Sequence, residues 1–325
     1  MRNSPLNTQN SSERIPTHQS SRLYYPFSQY LRERYPFRVQ KIPLAAGFTC
    51  PNIDGTVGYG GCIYCNNLSF SPNAGRPGVS IVQQIEKGIE FYRHRTGAQK
   101  FIAYFQTHTN TYAPLDLLRS LYDLAFSYPD VIGLSVGTRP DCVSKDCLDL
   151  LQGYTDRGEI WVEYGVESSH DTTLRLLNRC HDFAAVKDAI QRTQGRDLKI
   201  CAHVILGLPG EDREMMMETA RCLAQLGVDG VKIHHLYVSK NTRLEKMYYA
   251  GEVKLLSLEE YLPLVAEFLE WLPSTVVIQR LLGELAGDYI VAPQWGRGKK
   301  AILHALEQKM RDQGQYQGRL WQTLR

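Results

Sequence analysis

Six short apolar segments alternate with segments of helical periodicity along most of the chain, and this alternation constrains the fold more than any other sequence feature. The apolar segments are Val39–Leu44, Phe101–Phe105, Val131–Val136, Ile160–Val166, Leu198–Leu206 and Gly230–Val238. Strands that alternate with helices pair in parallel through right-handed crossovers, so ligand sites form at the carboxyl ends of the strands. Six units, fewer than the eight of a closed barrel, predict an α/β fold: a partial (β/α)6 barrel whose open side admits a large substrate.

The alternation stops after about Ser239, and the following residues predict a small C-terminal α+β extension. Its predicted elements are two helices and one short strand, at Leu258–Leu272, Lys299–Met310 and Val276–Ile278. We therefore assign residues 21–240 to the barrel and residues 241–325 to the extension.

Residues 1–20 are rich in Ser, Asn, Thr and Pro and contain almost no apolar side chains. This composition predicts a disordered tail. The stretch lacks the hydrophobic segment of a secretory signal. Because it is rich in Ser and poor in acidic residues, an organellar transit peptide is the alternative, although Arg is scarce.

The overall composition, 43% hydrophobic and 22% charged residues, is that of a soluble globular protein. No apolar run reaches the roughly 18 residues of a membrane-spanning helix, so we expect no membrane partner and a cytoplasmic location. The net charge of +3 is too small to indicate nucleic-acid binding by itself. Residues 279–325 carry eight Lys or Arg against four acidic residues, so this segment is either a solvated helical face or a contact surface for RNA.

The chain has eight cysteines, and without an export signal they indicate metal binding or buried thiols instead of disulfides. Five of them are isolated, and core packing is the expectation for these: Cys142, Cys147, Cys180, Cys201 and Cys222. The remaining three cluster directly after the first predicted strand, at Cys50, Cys62 and Cys65, with the spacing C-x11-C-x2-C.

This cysteine spacing is suited to a metal centre with three protein ligands. A two-residue gap lets two thiolates reach one centre, and the Gly-rich segment 55–61 can bend so that the third thiolate reaches it. Structural zinc sites usually have four ligands in two pairs, and no second pair follows. Three thiolates suit a [4Fe–4S] cluster that keeps one iron open for an external ligand.

The cysteine segment resembles the cluster loop of the radical S-adenosylmethionine (SAM) superfamily. Its long first gap is similar to that of the YhcC/YtqA-like group, which is related to the catalytic subunit of elongator. The resemblance rests on these words, in order along the chain: GFTCPN (47–52), GGCIYCNN (60–67), VGTRPD (136–141), VEYGVES (162–168), NRCH (178–181), ILGLPGE (205–211) and VKIHHL (231–236). Together they extend over most of the chain.

The resemblance implies two cofactors, a [4Fe–4S] cluster and SAM, and a reaction. The open iron of the cluster would bind the amino and carboxylate groups of SAM, and an electron from the reduced cluster would break the C5′–S bond. The products would be methionine and a 5′-deoxyadenosyl radical, which removes hydrogen from a substrate. A flavodoxin or ferredoxin is the implied electron donor.

Two carboxylates, Glu163 and Glu167, lie four residues apart in the fourth predicted strand, so their side chains face the same side. Carboxylates are costly to bury unless they are paired or hydrogen-bonded. The resemblance implies that this strand end, which includes Ser168, contacts SAM. A structural ion pair with Arg is the alternative.

Three further SAM contacts are implied by the resemblance. Arg179 follows the next helix, and its guanidinium would neutralise the SAM carboxylate. Gly207 lies in a turn that resembles the one near the adenine. Gln106 follows the second strand, where most relatives in the wider superfamily have a Gly-Gly-Glu word for the SAM amino group, and its amide would replace that carboxylate.

The substrate is open to three hypotheses. The first is tRNA modification at a wobble uridine, which rests on the elongator-like resemblance and on the basic C-terminal segment with Trp295 and Trp321. The second is a radical SAM reaction on a small metabolite. The third is a non-catalytic iron–sulfur or zinc-binding interaction protein. In each case we expect a monomer or a weak dimer.

Overall fold

The computed structural model of the chain describes residues 22–69, 71, 73–74, 78–283 and 289–324. The predicted tail at residues 1–20 lies outside these ranges, as do Glu284, Asp288 and Arg325 of the basic C-terminal segment.

The strands of the described residues form one large sheet and one small sheet. In chain order they are β1 (Val39–Leu44), β2 (Lys100–Phe105), β3 (Val131–Thr138), β4 (Glu159–Glu167), β5 (Lys199–Leu206), β6 (Gly230–His235), β7 (Val238–Ser239), β8 (Val277–Arg280) and β9 (Ile290–Ala292). The large sheet has the order β1-β2-β3-β4-β5-β6-β8, and every neighbouring pair is parallel. The small sheet pairs β7 with β9 in antiparallel orientation.

Helices connect the strands of the large sheet. They are α1 (Phe27–Arg34), α2 (Ile81–Thr96), α3 (Leu115–Phe126), α4 (Lys145–Gln152), α5 (Asp171–Leu176), α6 (Phe183–Thr193), α7 (Arg213–Leu226), α8 (Arg243–Tyr249), α9 (Leu258–Trp271) and α10 (Lys299–Asp312). Local sequence sets several helix ends. Ser80 and Ser257 form capping boxes with Gln83 and Glu260, which satisfy free N–H groups at the starts of α2 and α9.

The predicted partial barrel is confirmed, and the large sheet is strongly curled. Side chains from its two edge strands meet in the interior, because Lys41 Nζ of β1 donates to Gln279 Oε1 of β8 at 2.7 Å. Such a contact between the first and last strands is impossible across a flat sheet with five strands between them. The interior of the half-barrel is therefore partly polar.

The C-terminal extension contributes to the barrel as well as covering it. Its predicted strand is β8, which pairs with β6 as the seventh strand of the large sheet. Helix α9 packs against α7, and the buried residues of α9 and α10 belong to the same hydrophobic cluster as those of β1 to β6. The division at residues 240 and 241 stays a prediction.

In the described ranges, no helix combines the length and apolar character needed to cross a membrane.

Candidate active site

A cleft opens at the carboxyl ends of the parallel strands, where this fold class places its ligand sites. Its cavity volume is about 180 Å³, and the cleft is open to solvent. Its lining includes these predicted site residues: Cys50, Cys62, Cys65, Gln106, Glu163, Glu167 and Arg179. The cleft therefore brings seven of the predicted site residues to one solvent-accessible surface.

The three clustered cysteines are brought together at this cleft. Burial raises the pKa of the Cys65 thiol to about 12, and Cys62 and Cys50 raise it as well, because neighbouring thiolates repel one another. The backbone N–H of Cys65 donates to the carbonyl of Cys62 at 3.0 Å, so the two-residue gap forms a tight turn. A cation among the sulfur atoms removes this repulsion. The donor set therefore fits a metal centre with three thiolate ligands.

Two asparagines that the sequence analysis did not single out hold the cysteine loop. Asn52 is fully buried; its Nδ2 donates to the carbonyl of Asn178 and lies 3.6 Å from Cys62 Sγ. Asn178 Nδ2 donates in turn to the carbonyls of Tyr59 and Gly61, at 3.1 and 2.8 Å. Asn52 lies in the word GFTCPN and Asn178 lies in the word NRCH. Their presence in these words was the sequence signal that could have identified them.

The isolated cysteines differ in their surroundings. Cys147 and Cys201 are buried, which confirms core packing for these two. For Cys180 the prediction was wrong, because this residue is exposed and has a positive φ of 57°. Its Sγ lies 3.0 Å from Asn52 Oδ1, so it contacts the cysteine loop instead of the core.

A side chain at Gly58 would disturb Asn52 and Cys180, which contact each other at the cysteine loop. A Cβ at this position would lie 2.5 Å from Asn52 Oδ1 and 2.6 Å from Cys180 Sγ. We expect Gly58→Ala to displace Asn52 from Cys62 at a cost of about 1–3 kcal/mol, and so to lower the iron bound per chain after anaerobic reconstitution. Iron and sulfide analysis measures this effect. Gly298→Ala, where nothing lies within 4 Å of the new Cβ, is the control; equal iron content in the two variants would contradict the prediction.

Arg179 is buried beside the cysteines and Glu167. Its Nη2 donates to the carbonyl of Gly165 at 2.6 Å, while Nη1 lies 3.4 Å from Cys62 Sγ and 3.7 Å from Glu167 Oε1. Burial raises the pKa of Glu167, and the positive charge of Arg179 opposes that shift. Glu167 thus forms the ion pair with Arg that was the structural alternative. Arg179 Nε is buried and has no hydrogen-bond partner among the described residues.

Glu163 lies in a buried polar network inside the half-barrel. Its carboxylate accepts hydrogen bonds from four groups on four other strands: Lys41 Nζ, Lys232 Nζ, His203 Nε2 and Ser135 Oγ. The distance to Lys41 is 2.5 Å and that to His203 is 2.8 Å. The structural ion pair of Glu163 therefore involves two lysines, and not the arginine that the sequence analysis named as the alternative.

The charges of this network follow from burial and pairing. Burial opposes ionisation of Glu163, but Lys232 and Lys41 outweigh it and hold the pKa of the carboxyl well below its usual range. Burial lowers the pKa of Lys232 to about 7, despite the attraction of Glu163. Burial, together with Lys232, lowers the pKa of His203 to about 4, so this imidazole is neutral at neutral pH.

The remaining predicted SAM contacts have different positions. Gln106 lines the cleft, whereas Ser168 and Gly207 are not among its lining residues. Ser168 Oγ donates to the carboxylate of Glu211, and the N–H of Gly207 lies 3.3 Å from Met216 Sδ. The structure thus brings Gln106 to the cysteines' cleft and gives Ser168 and Gly207 protein partners outside its lining.

Comparison with known families assigns the chain. The family model described as the radical SAM superfamily matches residues 57–223, and the one described as the radical SAM C-terminal domain matches residues 228–312. The chain belongs to the radical SAM superfamily. Radical SAM enzymes use a [4Fe–4S] cluster and SAM, and these are the cofactors of this enzyme, which cleaves SAM to form a radical.

Relatives of this radical SAM enzyme support the group that the sequence words indicated. Protein YtqA of Bacillus subtilis is 36% identical over 324 residues, which cover 100% of this chain and 98% of YtqA. Protein YhcC of Escherichia coli is 37% identical over 93% of this chain and 98% of YhcC. A tRNA uridine(34) acetyltransferase of Methanocaldococcus infernus is 30% identical over 167 residues, which are 49% of this chain and 30% of that protein.

A solved structure supports the fold. The archaeal Methanocaldococcus infernus Elp3 with an N-terminal deletion matches with a TM-score of 0.65 and 19% identity. The match covers 86% of this radical SAM chain, which spans 64% of the length of that protein.

Proposed function

We propose that this radical SAM enzyme modifies a wobble uridine of tRNA, with its cluster on Cys50, Cys62 and Cys65. The observation that carries the tRNA assignment is the similarity to the tRNA uridine(34) acetyltransferase, which is 30% identical over 167 residues. We infer a tRNA uridine as the substrate but not acetyl transfer as the reaction, because the similarity covers 30% of that protein. The open side of the barrel is compatible with a nucleotide extruded from a large RNA.

The contacts that the basic C-terminal segment makes in the structure support RNA binding less strongly than its amino-acid composition does. Arg311 pairs with Glu307 at 3.2 Å, and Arg319 pairs with the buried Glu270. Trp295 packs on His235 with ring centroids 4.3 Å apart, so its ring is engaged within the protein and is not free to stack on a base. RNA contact through this segment therefore depends on the remaining basic residues.

The residues around the cleft have separate roles in the proposed reaction. When bound, the cluster and SAM supply an electron and a carbon-centred radical that removes hydrogen from the substrate. Asn52 Nδ2 and Arg179 Nη1 donate to the Cys62 sulfur and stabilise its thiolate. Arg179, whose buried Nε–H has no partner among the described residues, would bind the SAM carboxylate, and the carbonyl oxygen of the Gln106 amide would accept from the SAM ammonium.

A nucleoside comparison tests the proposal. Reconstituted protein, SAM, dithionite and tRNA from a strain without the gene are expected to yield 5′-deoxyadenosine and to change one uridine-derived nucleoside. Chromatography with mass detection of digested tRNA measures the change, and Cys65→Ala is the inactive control. 5′-Deoxyadenosine with an unchanged nucleoside profile would favour the small-metabolite alternative. Absence of 5′-deoxyadenosine would contradict cleavage of SAM at the three cysteines and, with it, the proposed function.

We propose a flavodoxin or ferredoxin as the electron donor. Replacing dithionite by a reduced flavodoxin in the same assay tests this, because a competent donor sustains 5′-deoxyadenosine formation.

The proposed monomer or weak dimer is tested by light scattering of the same preparation.

A further inference from the structure

Arg280 is a cleft residue that the reaction described above does not use. It is the last residue of β8, and it lines the same cleft as the cysteines. Its Nη2 lies 3.1 Å from His234 Nδ1, while its buried Nε has no hydrogen-bond partner among the described residues. Within that part of the chain, no carboxylate lies within ion-pair distance of this guanidinium. Arg280 is half-buried, and a guanidinium partly withdrawn from water without an anion is costly.

The buried network next to Arg280 does not supply the missing negative charge. Glu163 is shared by Lys41 and Lys232, so each of its oxygens already faces an ammonium group. Even when Lys232 is neutral, Lys41 balances Glu163 and Arg280 stays unbalanced. The other cleft carboxylate, Glu167, lies beside Arg179 at 3.7 Å. The cleft therefore has an excess of positive charge at Arg280.

The histidines around Arg280 do not change this balance. Burial lowers the pKa of His235 to about 4, and burial together with Arg280 lowers the pKa of His234 well below its usual range. Both imidazoles are neutral at neutral pH, so they add no charge of either sign. His234 Nδ1 accepts from Arg280 and orients the guanidinium.

We propose that Arg280, oriented by His234, binds an oxyanion of the substrate, a carboxylate or a phosphate. A guanidinium recognises either group through paired N–H donors, and the free Nε–H supplies one of them. The assignment of the oxyanion to a substrate rests on the proposed function, whereas the binding of an oxyanion by Arg280 does not. Because Arg179 contacts Cys62 directly, it is the guanidinium suited to the SAM carboxylate, which leaves Arg280 for the second ligand.

Anion binding to the reconstituted full chain tests the proposal without an activity measurement. Inorganic phosphate and acetate serve as probes, and the shift of the thermal unfolding midpoint with probe concentration reports their dissociation constants. We expect Arg280→Gln to weaken binding of the preferred probe by about tenfold or more. Arg280→Lys, which keeps the charge but loses the planar fork, is expected to be intermediate. Arg243→Gln on the exposed start of α8 is the matched control and is expected to bind like wild type.

The outcomes distinguish a phosphate from a carboxylate as the source of the oxyanion. They also distinguish failure of the role of Arg280 from failure of the proposed function. Preference for phosphate indicates a nucleic-acid backbone or another phosphate ester, and preference for acetate indicates a carboxylate on the substrate. Equal midpoint shifts in wild type and Arg280→Gln, or no shift in wild type, would overturn the role of Arg280. Failure of the proposed function appears elsewhere, as an unchanged nucleoside profile in tRNA treated with wild-type protein and SAM.

Discussion

Cys62→Ala is expected to abolish cluster binding and, with it, the formation of 5′-deoxyadenosine from SAM. Cys62 is the buried member of the three cysteines, and it receives contacts from both Asn52 Nδ2 and Arg179 Nη1. Its removal leaves two thiolates for the metal centre and takes away the sulfur that Arg179 Nη1 contacts. Anaerobic reconstitution followed by iron analysis, visible absorption and product chromatography measures the effect.

Cys222→Ala is the matched control for this variant. Cys222 is a half-buried cysteine on α7, and its Sγ contacts Glu218 at 3.9 Å instead of the cleft. We expect the control to bind iron and to form product as wild type does. A Cys62→Ala protein that retains a full cluster would refute the assignment of the ligands.

Glu163→Gln is expected to lower the free energy of unfolding by about 3–5 kcal/mol, the usual cost of removing one partner from a buried ion network. The amide cannot neutralise Lys41 and Lys232, which both donate to this fully buried carboxylate. Urea denaturation of both proteins at neutral pH measures the difference. The triple variant Lys41→Met, Glu163→Leu, Lys232→Met removes all three charges together and should regain most of the loss.

The effect of Glu163→Gln has a defined pH dependence. The folded-state pKa of Glu163 is lower than its unfolded value, so the carboxylate contributes stability above the ordinary carboxyl range. That contribution is lost as the pH falls through the folded-state pKa, and the difference between the proteins should shrink in acid. Asp188→Asn, which breaks a pair on the surface of α6 with Arg192, should cost less than about 1 kcal/mol. Equal losses in the two single variants would contradict the role of the buried network.

Much of the fold was predictable because its signals are local. The predicted helix Leu258–Leu272 corresponds to α9 at Leu258–Trp271, since periodicity and the Ser257–Glu260 capping box both lie within one short segment. The three cysteines were predictable for the same reason, because their ligand spacing lies within 16 residues of sequence. Asn52 and Asn178 were not singled out, because their hydrogen bonds join loops 126 residues apart.

The amino-acid sequence alone determined the alternation of strands and helices, the parallel sheet that this alternation implies and the cysteine loop after its first strand. The tertiary structure decided which charged groups meet inside the half-barrel. Glu163 contacts Lys41 and Lys232, which lie 122 and 69 residues away in the chain, and Lys41 also reaches Gln279 on the last strand. These partners depend on strand register and on the curl of the sheet, which arise from the packing of the whole core and not from any local pattern.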